Sequence, residues 1–227
     1  NATSFYIIPM KGQLGTDVNC QFYKELEEDI RAHDPDYIII EMECADIEDD
    51  LFAEVDPEEV GLFLVDEYRE MINFFRDDLG EYKQVIWIDD SMGFSSMIAM
   101  AWPDMYMKPD GRLAGLGLSF ENWGDEDIRG KMREAMMAFL KGFLEYGGYS
   151  PRIVDAMARS EFQLSATWKG REVDWSLDRA GEYIVDGTDQ ATVGFTAKSA
   201  EDFCISDGTA ESLDDLALLM GIREYRV

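Results

Sequence analysis

Short apolar runs alternating with helix-length amphipathic stretches restrict this 227-residue chain more than any other feature. Residues 5–9 (FYIIP), 37–42 (YIIIEM) and 84–88 (QVIWI) are near-continuous apolar segments, the signature of strands buried on both faces of a parallel sheet. Between the first two, Phe22, Leu26 and Ile30 recur at helical spacing over residues 18–32, with Asp17 as the candidate cap and Pro35 as the stop. Residues 43–58 are acidic, carry Pro57 and read as a loop. Leu64, Tyr68, Met71, Ile72, Phe75 and Leu79 then trace one stripe of a helix over 58–79, ended by Gly80. Asp89 to Gly93 reads as a turn into an apolar helix at 94–101, followed by a short strand at 105–107. This β-α-β-α-β-α-β order predicts an α/β protein with a parallel sheet flanked by helices and right-handed crossovers.

The second half is patterned differently. A long helix is expected over 125–146, with Ile128, Met132, Ala135, Met136, Phe139, Leu140 and Phe143 on its apolar face. A shorter helix follows Pro151, short strands fall at 162–168, 173–177 and 182–185, and two helices close the chain at 197–203 and 212–220. No repeat, low-complexity tract or linker divides the sequence, so residues 1–227 are expected to form a single domain with a helical C-terminal part.

Composition narrows the function. The chain carries 48 Asp and Glu against 20 Lys and Arg, a formal charge of −28. Its 46% hydrophobic and 12% aromatic content argues for a folded acidic globule rather than a disordered chain. That charge opposes nucleic acid as a partner, which needs Lys and Arg to displace counterions, and opposes direct binding to anionic membranes. No apolar run is long enough to span a bilayer. The chain opens on Asn1 rather than Met and is read as one from which a leading segment was removed; an exported or periplasmic location is one expectation beside a cytoplasmic one.

His33 is the sole histidine and sits where a helix should end, a structural position favoured by the helix dipole. Chemistry built on several histidines is therefore excluded. Cys20, Cys44 and Cys204 form no CxxC pair, and no metal or cofactor site is expected.

In an open parallel sheet, ligands bind beyond the carboxyl ends of the strands. Two segments leave strands there, Glu43-Cys44-Ala45-Asp46 and Asp89 to Ser96. The second runs strand, glycine, helix, which is the layout of a nucleophile turn, and it supplies Ser91, Ser95 and Ser96, residue types equally common as helix caps. A serine nucleophile needs a base, and a desolvated lysine is the remaining candidate. Lys131 borders the apolar face of the long helix, where a lysine also commonly snorkels to the surface.

The stretch Ile98-Ala99-Met100-Ala101-Trp102-Pro103-Asp104-Met105-Tyr106-Met107-Lys108-Pro109, with the turn Asp110 to Gly115, resembles the helix-to-strand segment of ClpP-like serine peptidases of the signal peptide peptidase A and NfeD type. Thr196 to Ala200, Ser206 to Leu216 and the opening Tyr6 to Gly12 resemble further segments of that family in the same order, so the likeness covers most of the chain. The resemblance implies the ClpP/crotonase fold, a Ser-Lys dyad, peptide or protein ligands and a ring-like homo-oligomer. It implies Lys131 as the dyad lysine. For the nucleophile, one register points to Gly93 and another to Ser91, with Ser95 and Ser96 as neighbours. The family's glycine pair after the second strand, which supplies oxyanion amides, is replaced by Cys44-Ala45-Asp46, and Glu43, Asp46, Asp89 and Asp90 add carboxylates to the same edge. These departures lead to the expectation of a non-catalytic scaffold or binding relative, with an active Ser-Lys peptidase as the alternative and a crotonase-type acyl-CoA enzyme as a third, weaker reading.

Overall fold

The computed structural model describes residues 2–44, 66–120, 126–186 and 191–227. Most of the expected 43–58 loop and the first part of the expected 58–79 helix lie outside them, as does Asp46. The chain enters through β1 (Thr3–Lys11), α1 (Cys20–Lys24), α2 (Glu27–His33) and β2 (Tyr37–Cys44). Helix α3 (66–73) runs into a π-helical turn, Phe74–Asp78, before β3 (Lys83–Met92) and α4 (Phe94–Ala99). Next come β4 (Met105–Met107), β5 (Arg112–Ala114), the long α5 (Glu126–Gly147) and α6 (Arg152–Ala158). Strands β6 (Leu164–Lys169), β7 (Glu172–Ser176) and β8 (Tyr183–Asp186) form a separate antiparallel sheet in the order β7-β6-β8. The chain closes with β9 (Phe195–Thr196), α7 (Ala197–Asp202), β10 (Gly208–Thr209), α8 (Leu213–Leu219) and β11 (Tyr225–Arg226).

The main sheet has the order β10-β4-β3-β2-β1-β11, and every pair along that path is parallel. The expected parallel sheet is present, extended by the short strands β5, β9, β10 and β11, which carry too few residues to leave a periodic signal. Strand parity divides the core. Ile8, Met10, Ile38, Ile40, Met42, Ile86 and Ile88 join the larger cluster, which extends through the buried face of α5 to Ile205. Phe5, Ile39, Val85 and Trp87 face the other way and are covered by Ala210 and by Leu216 and Ala217 of α8. The Trp87 indole donates to the Ala210 carbonyl at 3.0 Å. Ile38, Ile39 and Ile40 are all fully buried, so β2 is apolar on both faces, and each such side chain contributes about 1.5–3 kcal/mol of burial.

Three sequence readings need correction. The expected 18–32 helix is two short helices, capped by Asn19, whose side chain accepts from the Phe22 amide, and not by Asp17, which accepts from Gln13 instead. With α1 turned outward, Phe22 is about half exposed rather than in the core. His33 does end its helix, with Nδ1 2.9 Å from the Asp29 carbonyl and Asp34 in the left-handed conformation before Pro35. The expected turn at 89–93 is instead strand as far as Met92.

Local hydrogen bonding explains why the C-terminal elements start where they do. Thr196 with Ser199, and Ser212 with Asp215, form reciprocal capping boxes at the starts of α7 and α8. Asp207 accepts from the Met105 amide at 3.0 Å and its own amide returns a bond to the Met105 carbonyl, tying the approach to β10 onto β4. Burial raises the Asp207 carboxyl above its ordinary value of 3.8, the Met105 bond opposes this, and nearby Asp104 adds to the rise. A carboxyl whose folded pKa is raised weakens the fold once pH exceeds that pKa, and the penalty vanishes below the unfolded value. Asp207→Asn is therefore expected to raise the Tm at pH 7, with the gain closing below about pH 4 in a pH-resolved melting series.

Candidate functional site at the carboxyl edge of the sheet

The candidate site is built where β2 and β3 end. Met42 lies opposite Ile88 but Glu43 lies opposite Asp90, so Asp89 is an extra residue bulged out of β3. The bulge resets strand parity. Ser91 then pairs with Cys44 and is fully buried, while Ser91 and Met92 also pair with β5. At Gly93 the chain turns with φ 73° and ψ −140° into α4. This conformation is natural for glycine and strained for any residue with a Cβ. The Gly93 amide donates to the Ala114 carbonyl at 2.8 Å, which fixes the elbow against β5.

Ser91, Ser95 and Ser96 are each fully buried and each hydrogen-bonded locally. The Ser95 hydroxyl lies 2.8 Å from both the Cys44 and Met92 carbonyls, so its single proton is engaged by a carbonyl. Ser91 Oγ, 2.9 Å from Ser95 Oγ, must therefore be the donor of that pair. The Ser96 hydroxyl donates to the Gly93 carbonyl at 2.6 Å. The serines thus stitch the ends of β2, β3 and the elbow together. Lys131 lies exposed on α5 and has no hydrogen bond to any of the three. The structure brings Ser91 and Ser95 into hydrogen-bond contact, a contact that Lys131 does not share.

The cap over the elbow is aromatic. Phe94, immediately after Gly93, packs against Phe120 with ring centroids 5.5 Å apart and against Tyr68 at 6.3 Å. Burial pushes the Tyr68 hydroxyl well above the usual phenol range. Arg133 of α5 lies 5.7 Å from the Phe120 ring centroid, with its Nε buried and without a hydrogen-bond partner. A guanidinium stays protonated and cannot serve as a general base.

Among the described residues, the carboxylates of the acidic edge seen in the sequence are paired with cations. Lys108 binds Asp89 at 2.7 Å and Glu41 at 3.1 Å while lying 4.7 Å over the Trp87 ring. Asp90 receives Arg112 through two bonds, 2.6 and 3.0 Å, and Lys11 reaches Glu41 at 3.3 Å and Glu43 at 3.6 Å. Lys108, Arg112 and Arg133 were not singled out by sequence reasoning. Lys108 and Arg112 follow their partners by roughly twenty residues, and only the strand pairing brings them together. Among the described residues no cluster of His, Cys, Asp or Glu could hold a metal ion, and no helix is long and apolar enough to cross a membrane.

No protein-family model matches this sequence, and no curated protein matches it either. Solved structures do match over nearly the whole chain. A serine-to-alanine variant of the 1510-N membrane-bound stomatin-specific protease aligns over 96% of this chain and 85% of its own, at 11% identity and a TM-score of 0.62. A lysine-to-alanine variant of that protease in complex with a substrate peptide aligns at 12% identity over 96% and 80%, with a TM-score of 0.61. A 1510-N membrane protease structure from Pyrococcus horikoshii, specific for a stomatin homolog, is also similar, with a TM-score of 0.59 at 10% identity over 96% of this chain and 79% of its own. A probable enoyl-CoA hydratase/isomerase from Mycobacterium abscessus aligns at 14% identity over 96% and 70%, with a TM-score of 0.51. The chain has the ClpP/crotonase fold. In this ClpP/crotonase-fold chain the strand-to-helix elbow carries no side chain. Placing one there is costly: Gly93→Ser forces an L-residue to φ 73°, and a loss of about 1–3 kcal/mol is expected in urea titration. An unchanged midpoint would show that the elbow relaxes without strain.

Proposed function

We propose that this chain is a non-catalytic relative of the ClpP-like serine peptidases, retaining the fold as an oligomeric scaffold or a binding module for peptide or protein ligands. Gly93 carries the reading: the elbow between β3 and α4, where the layout calls for a nucleophile, has no side chain to act. The buried serine hydroxyls support it. Each donates to a carbonyl or to another serine, and none to a group that could take its proton. A general base works from about 2.6–3.2 Å of the hydroxyl it activates, or through one water. A ring-like homo-oligomer, as the resemblance implies, belongs to the same proposal, and light scattering at low and high salt counts its subunits.

The competing reading is a Ser-Lys peptidase using Ser91, Ser95 or Ser96 with Lys131. A panel of fluorogenic peptides separates the two. The scaffold reading expects no turnover above buffer for the wild type. Turnover abolished by both Ser91→Ala and Lys131→Ala would establish the peptidase instead.

A further inference from the structure

Strand β1 leaves most of its outer edge unpaired. The Thr3 amide donates outward to the Glu224 carbonyl, whereas Ser4 exchanges bonds with Asp36 on the β2 side. Odd-numbered residues of β1 therefore direct their backbone groups outward. Strand β11 covers only Thr3 and Ser4, pairing them in parallel with Tyr225 and Arg226. Beyond that pairing, the Phe5, Ile7 and Pro9 carbonyls and the Ile7 amide meet no strand among the described residues. A groove of about 850 Å³ runs along this edge, and Tyr6, Phe22 and Leu26 give it an apolar wall. Asp17, Asp29 and His33 line it as well, with His33 Nδ1 3.5 Å from Asp29, and Arg226 is its permanently charged cation. Asp29 accepts the Tyr6 hydroxyl at 2.6 Å, and burial together with Asp29 pushes that phenol up to about 12.

We propose that this edge is a docking site for an extended cationic–apolar peptide segment of a partner protein, which adds as a strand beside β1. An edge with unpaired backbone groups accepts a strand through main-chain bonds, and side-chain pockets then select the sequence. β11 shows that this edge takes a parallel strand, and the groove continues directly from that pairing. Three outward carbonyls against one amide favour a strand that mainly donates. The exposed Phe22 ring offers an apolar seat. The occupant's charge follows from Asp17 and Asp29 in the groove and from the formal −28 of the whole chain. A second copy pairing through this same edge would set Asp17 and Asp29 against their own counterparts, which disfavours self-pairing at this site. Pro9, whose carbonyl accepts but which has no amide to donate, and Lys11 beyond it bound the site. The site is separate from the elbow at Gly93 and stands whether or not that elbow is catalytic.

The test uses a fluorescein-labelled peptide of alternating lysine and valine, with two derivatives N-methylated on one or the other alternate set of amides. Fluorescence polarisation is expected to show saturable binding, at least tenfold weaker for one methylated form and unchanged for the other. Phe22→Ala, at an exposed position, is expected to weaken the unmodified peptide at least fivefold, and the Ile7 amide to exchange at least tenfold more slowly in the complex. A glutamate–valine peptide is expected not to bind. No binding of the lysine–valine peptide, or equal binding of both methylated forms, would overturn the proposal. So would an Ile7 amide already protected in the free protein and exposed on dilution, which would assign the edge to a second copy.

Discussion

Phe75→Ala is expected to cost about 3–5 kcal/mol, lowering the urea midpoint while leaving the denaturant slope unchanged. Phe75 is almost wholly buried in the π turn that follows α3. Its ring meets Trp102 at 5.3 Å and Phe74 at 5.4 Å in edge-to-face geometry, and Tyr23 at 5.3 Å. Three segments of the chain, around Tyr23, Phe74-Phe75 and Trp102, therefore meet at one ring. The turn around it is held by Gln84, whose side-chain amide donates to the Phe75 carbonyl at 2.6 Å and to the Leu79 carbonyl at 2.9 Å. The Gln84 side-chain oxygen accepts from the Trp102 indole at 3.0 Å. Removing the ring leaves a cavity whose walls are pinned by these bonds and cannot collapse into it. For a chain of this length the loss corresponds to a fall in Tm of roughly 6–20 °C. A shift of only a degree or two would mean that the cluster is not a fixed part of the core.

Gly147→Ala is the second large effect, and it acts through a close approach rather than a cavity. A Cβ at Gly147 would stand 2.1 Å from the Met100 carbonyl oxygen and 2.6 Å from the Tyr149 ring. Backbone oxygen cannot swing aside as a flexible side chain can. The end of α5 must therefore move away from the end of α4, or the helix must fray. A loss of about 1–3 kcal/mol is the usual range for such overpacking, and contact with backbone places this case at the upper end. Gly142 supplies the control on the same helix, because a Cβ there meets nothing within 4 Å. Gly142→Ala is expected to stabilise the protein by about 0.5–1 kcal/mol through helix propensity alone. Opposite signs in paired thermal melts bear out the close approach; equal signs contradict it.

Much of the fold is legible in the residues because parallel strands buried on both faces leave long apolar runs, as 37–42 does for β2. The order of the major elements follows from the same signal. Other features leave none. Strands β9, β10 and β11 are two residues each and exist only through pairing with distant segments. The break between α1 and α2 falls at Glu25-Leu26, where the Leu26 amide turns to the Tyr23 carbonyl, against a helical spacing that continues through it. The bulge at Asp89 is the clearest case. Asp89 and Asp90 look like turn residues, yet Lys108 and Arg112 neutralise them and let β3 continue. That single extra residue decides that Ser91 points into the core opposite Cys44. At the site, the serines were visible as candidates, but their hydrogen bonds depend on the Cys44 and Gly93 carbonyls, which sequence spacing does not place. Arg133 left no signal because its role depends on which face of α5 meets Phe120.

The central claim is that the elbow of this ClpP/crotonase-fold chain holds no activated nucleophile. Treatment of the native protein with a serine-reactive fluorophosphonate, read by intact mass, tests it most directly. The account predicts no adduct, because Ser91, Ser95 and Ser96 are buried and donate to neighbours that cannot take their protons. A stoichiometric adduct on one of these serines, lost in Lys131→Ala, would contradict it.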